Sequence, residues 1–102
     1  MTLAEAAMVI RSKNAGPFIF TFDILFPDSE TFKRVREAGK VDRNAVARAY
    51  GVSPNEILGF DYFSFAHAIK FSIKRPTASG AHGDSDVYGA QQHAPLLLME
   101  AY

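Results

Sequence analysis

Apolar and polar residues alternate over residues 18–26, FIFTFDILF. Phe18, Phe20, Phe22, Ile24 and Phe26 share one parity, and Ile19, Thr21, Asp23 and Leu25 the other. Flanked by Pro17 and Pro27, this aromatic and β-branched run predicts a strand. Asp23 stands out, because a carboxylate in so apolar a strand calls for a partner. A second alternation, over 67–74, sets His67, Ile69, Phe71 and Ile73 against Ala68, Lys70, Ser72 and Lys74. His67 reads there as a hydrogen-bonded structural histidine. Arg75-Pro76 ends the run, since Pro has no N–H for a ladder. Residues 57–61 and the PLLLM of 95–99 are two further strand candidates.

Helical signals fall between these runs. Asp28-Ser29 offers an N-cap for 30–38, where Phe32 and Val35 form the apolar stripe and Gly39 the stop. A second helix is predicted over 42–50, with Val46 and Tyr50 one turn apart and Gly51 after it. Thr2 and Glu5 have capping-box spacing for a short first helix, while Met8-Val9-Ile10 suits a strand equally well. A short helix is expected within 84–92. The order strand, helix, strand, strand, helix, strand fits an α+β two-layer sandwich of ferredoxin-like kind. Helices on one face of its antiparallel sheet would leave the other face free to pack on a partner.

With 102 residues, the chain is expected to be a single domain spanning 1–102. Eleven Lys and Arg balance eleven Asp and Glu, which argues against nucleic-acid and membrane-surface partners, both of which recruit excess cations. Cys is absent, excluding disulfides, thiolate metal sites and Cys nucleophiles. No basic-then-apolar leader opens the sequence, and no apolar run approaches the roughly 18 residues that span a bilayer. A cytoplasmic, non-membrane chain is expected.

Three polar clusters could carry chemistry. Arg11, Ser12, Lys13, Asn14 and Gly16 read as a loop before the main strand, able to surround a carboxylate or phosphate, or as a solvated turn. Lys70 and Arg75 would add positive charge to that anion site, or only solubilise a sheet edge. His82, Asp84 and Asp86 alternate, so an extended loop would aim all three at one divalent metal; in the alternative, Asp84 caps the following helix. Gln91, Gln92 and His93 lie between Gly89 and Pro95. His93 could serve as a general acid or base near neutral pH, or simply satisfy the backbone, and the two amides could orient a carbonyl. Asp23 is the other candidate catalytic base. No cofactor is named by these residues.

The strings RSKNAGPF at 11–18, FDILF at 22–26, IKFSIKRP at 69–76 and GDSDVYGAQQHAPLL at 83–97 resemble a family of short stand-alone proteins known as a domain of unknown function. Leu3-Ala4 through Arg11-Ser12 and Gly16 is also similar to the LAxxRSGDKG-type opening of the C-terminal domain of AtuA-like acyclic terpene utilisation proteins, with Lys13-Asn14-Ala15 in place of the GDK. That resemblance implies a ferredoxin-like fold and a large AtuA-like partner acting on branched acids or their CoA esters.

Three functions remain open at this point. The chain is an accessory subunit of an AtuA-like protein, its sheet face or polar cluster completing a site or an interface. Or it is a small enzyme performing proton transfer or hydration–dehydration on a carboxylate or acyl-CoA, with Asp23 or His93 as base. Or it is a homo-oligomeric, dimeric module that binds small anions.

Overall fold

In a computed structural model of the chain, the structure describes residues 1–16, 18–74 and 94–102. Every capping signal between Thr2 and Gly51 is used. Thr2 caps α1 (Leu3–Ala6) and Glu5 answers it, a complete capping box. Asp28 accepts the Thr31 N–H at 2.8 Å to start α2 (Ser29–Ala38), and Asp42 accepts the Ala45 N–H at 2.8 Å to start α3 (Arg43–Tyr50). Both helices end on a glycine at φ 67°, Gly39 and Gly51, a left-handed cap that a Cβ would strain.

Four strands form one antiparallel sheet in the order β1-β2-β4-β3: β1 (Val9–Gly16), β2 (Ile19–Leu25), β3 (Ile57–Phe63) and β4 (Ala68–Lys74). Phe20, Phe22 and Ile24 of β2 and Ile69, Phe71 and Ile73 of β4 point to one side, where they are buried with Phe32 and Val35 of α2 and Val46 and Ala47 of α3. Phe22 stacks on Phe71 with ring centroids 4.9 Å apart, and Phe60 extends the stack at 5.7 Å. Removing these rings from water, at roughly 1.5–3 kcal/mol per large side chain, is what binds helices to sheet. The expected two-layer α+β sandwich, with helices on one face, is what forms.

Three local readings are corrected. Residues 11–16 are not a loop: they continue the strand that begins at Val9, each of 9–14 paired to β2. Their polar character reflects an exposed edge strand. The PLLLM stretch does not add a strand. Ala94–Leu97 is a short helix, α4, which buries Leu96 and leaves Leu98 exposed; Pro tolerates a first helical turn, and Ala and Leu favour helix. An isolated bridge, Thr2 to Glu100, joins that end of the chain to the N-terminus, with the Leu3 N–H donating to the Met99 carbonyl at 2.7 Å and the Ala101 N–H to the Met1 carbonyl at 2.8 Å. His67 is not in β4 but in the turn before it, at φ 52°, as the end of a 3₁₀ turn over Ser64–Ala66.

The alternation of strands and helices along the chain also differs from the expected one. One hairpin, β1-β2, precedes the two long helices and another, β3-β4, follows them, because α2 and α3 are joined directly through Gly39 to Asp42. Both N-terminal possibilities are realised in succession, as α1 and then β1. The helix expected within 84–92 lies outside the described residues.

Candidate functional site

The second face of the sheet carries the odd-numbered residues of β1 and β2, and among the described residues no helix covers it. Register places its side chains in rows that cross all four strands. In the central row Arg11 is opposite Asp23, Asp23 opposite Lys70, and Lys70 opposite Asp61. Directly opposed side chains in an antiparallel sheet lie on the same face, about 5 Å apart. The row therefore alternates in charge: plus, minus, plus, minus from β1 to β3.

Asp23 is the hub. Its Oδ2 lies 3.7 Å from Arg11 Nη2 and its Oδ1 lies 3.8 Å from Lys70 Nζ. These are ion pairs too long to be hydrogen bonds. The Asp23 side chain retains 25% exposure, against 63% for Arg11 and 52% for Lys70. The partner that the apolar sequence around Asp23 demanded is thus a pair of cations, one on each neighbouring strand.

On one side of this row Lys13, Thr21, Ser72 and Leu58 follow in register. Thr21, the one buried polar side chain among the described residues, shares a 3.0 Å hydroxyl contact with Ser72. On the other side lie Val9, Leu25, Ala68 and Phe63, an apolar row. A shallow depression of about 340 Å³ is lined by Arg11, Ser12, Lys13, Thr21 and Asp23. Another, about 240 Å³, lies between Asp23 and Lys70 on one side and Leu25, Phe63 and Ala68 on the other. Phe63 is 44% exposed, and Phe65, in the following turn, is wholly exposed.

The structure thus brings together four of the residues singled out from sequence: Arg11, Lys13, Asp23 and Lys70. Ser12 is opposite Phe22 and takes the opposite parity, toward the helical layer. Asn14 and Gly16 lie at the far end of β1, where the register slips between them. Residues 9–14 run extended in register with β2 and so do not form the anion-cradling loop expected of them. Arg75, His82, Asp84, Asp86, Gln91, Gln92 and His93 lie outside the described residues. Among the described residues no three His, Asp or Glu side chains converge as a metal site would require.

Two contributors had not been singled out. Asp61 completes the charged row and Phe63 the apolar one. Their signal was the parity of β3, which is obscured because the register slips between Leu58 and Phe60. Glu5 and Asp28 are held below the usual carboxylate range, chiefly by the backbone N–H groups of Thr2 and Thr31. Burial, followed by the nearby Asp42 carboxylate, pushes the Tyr62 phenol up, and its hydroxyl donates to the Val41 carbonyl at 2.6 Å.

Residues 3–100 match the model of a family described as a domain of unknown function (DUF4387). The chain belongs to that family. No curated protein and no solved structure matches it. No helix among the described residues is long and apolar enough to cross a membrane.

Proposed function

We propose that this chain is an accessory binding domain whose uncovered sheet face is an assembly surface, serving a larger AtuA-like protein that acts on branched acids or their CoA esters. The observation that carries this reading is the alternating row Arg11, Asp23, Lys70, Asp61 beside an apolar row that exposes Val9 and Phe63 at its two ends, on one open face. Alternating charges with apolar neighbours recognise a complementary protein surface: the apolar row supplies the affinity and the charges fix the register. The resemblance of the chain's opening to the C-terminal domain of AtuA-like proteins supports the choice of partner.

Asp23 acts in this reading as the electrostatic hub of the face. Its two cations stand in the position of recognition groups, and its partial exposure suits a contact surface better than the secluded pocket in which a carboxylate base works. Lys13, beside the Arg11 end of the row, extends the positive edge of the face. The test is co-expression of this chain with the large AtuA-like protein of the same organism, followed by affinity capture of either. Co-elution in a fixed ratio is expected. Two proteins that elute separately at every salt concentration would overturn the assignment of partner.

A further inference from the structure

We infer that the sheet face pairs with the same face of a second copy of this chain, about a two-fold axis that lies between the copies and runs parallel to the strands. The inference rests on the reading of that face as an assembly surface and names its immediate occupant. Such an axis reverses the order of strands while keeping each cross-strand row opposite itself. The first member of a row then meets the fourth of the other copy, and the second meets the third.

The rows are self-complementary under that operation. Arg11 meets Asp61 of the second copy, and Asp23 meets Lys70 of the second copy; each contact occurs twice by symmetry. In the apolar row Val9 meets Phe63, and Leu25 meets the small Ala68, so large and small side chains interdigitate as facing sheets require. Thr21 meets Ser72. Lys13 meets Leu58 at the outer edge, where a lysine stem lies along apolar surface and its ammonium reaches water. The other face-to-face two-fold, along the rows, sets Arg11 on Arg11 and Asp23 on Asp23 and turns the apolar row onto the Lys13 row. Charge order therefore selects one axis of the two.

The size of the face sets the strength of the pairing. Strands of seven residues are about 24 Å long, and four of them at about 4.8 Å spacing are about 19 Å wide, a footprint of about 450 Å² per copy. Stable standard interfaces use about 800 Å² per partner. Exposed Phe63 and Phe65 at one end add apolar area, but the dimer is of modest size and depends on concentration. Each copy keeps its helical layer outward, which leaves that layer for the larger protein.

Sedimentation equilibrium on the full chain tests this with two single variants, Lys70→Glu and Asp23→Lys, each checked by circular dichroism for the native fold. Alone, each sets like charges against each other across the axis and is expected to dimerise at least tenfold more weakly than the unsubstituted chain. Mixed one to one, the two variants regain an opposite charge at every position of the central row, and the mixture is expected to dimerise as the unsubstituted chain does. A role confined to ion pairs within one sheet cannot produce that rescue. An unsubstituted chain that stays monomeric at all concentrations overturns the inference. So does a mixture that fails to dimerise. A monomer that still binds the large AtuA-like protein overturns only the pairing, and a dimer that does not bind it overturns only the choice of that partner.

Discussion

Replacing Asp23 by Asn removes the charge at the hub while keeping the side chain's size and its place in β2. Two ion pairs are lost, to Arg11 at 3.7 Å and to Lys70 at 3.8 Å. Both cations are more than half exposed and remain solvated afterwards, so neither becomes a buried unpaired charge. Exposed pairs contribute about 0.2–1 kcal/mol each, and these contacts are long, so the loss in unfolding free energy should be about 0.5–1 kcal/mol. For a domain of this size the urea slope is about 1–3 kcal/mol per molar. The midpoint of urea unfolding, followed by circular dichroism, should therefore fall by about half a molar, with the slope unchanged. Salt of about 1 M should shrink the difference further, because exposed pairs are screened. A loss above about 2 kcal/mol that resists salt would refute the reasoning: Asp23 would then be part of a buried polar network, and the face would not be an accessible surface.

Phe22→Ala removes a fully buried ring stacked on Phe71 and should cost about 3–5 kcal/mol by the same unfolding measurement, the largest single loss expected in β2. Tyr62→Phe deletes the hydrogen bond to the Val41 carbonyl and should cost about 1 kcal/mol. Because folding raises the Tyr62 pKa, its contribution is complete below the ordinary value of 10.0 and declines as pH rises beyond it. Thermal melts across that range should fall more steeply for the parent chain than for the Phe variant. At the acid end the sign reverses: Glu5 and Asp28 are depressed, so their contribution is present above the ordinary values of 4.5 and 3.8 and is lost as pH falls through the lower folded values. Asp28→Asn, whose side chain still caps, should flatten that acid limb.

The elements legible in the sequence were those with local, redundant signals. β2 had period-two alternation between two prolines, and α2 and α3 had an acidic N-cap, an apolar stripe and a terminal Gly. What misled was polarity taken as a sign of a loop. Arg11, Ser12, Lys13 and Asn14 lack the apolar alternation of a strand because β1 is an edge whose outer face meets water. Leu96-Leu97-Leu98 has the composition of a strand or a helix, and a short apolar run does not settle which. His67 shared a parity with core residues by coincidence of numbering, one position before β4 begins.

The site shows the same division. That Asp23 needs a partner followed from its setting, and Arg11 and Lys70 were each noticed for their charge. Their convergence depends on register across three strands, a long-range property that no local pattern encodes. Asp61 and Phe63 were missed for this reason. The zero net charge of the whole chain concealed the arrangement too, since charges that alternate along a row cancel in any sum.

In the proposed assembly the charged sheet face is covered. Amine labelling of lysines, read by mass spectrometry over a wide range of protein concentration, tests it most directly. Lys70 lies at the centre of the face, and Lys33 is exposed on α2 in the opposite layer. Labelling of Lys70 should slow as concentration rises while that of Lys33 stays constant. Equal and unchanging labelling of both, from dilute to concentrated solution, would contradict the claim.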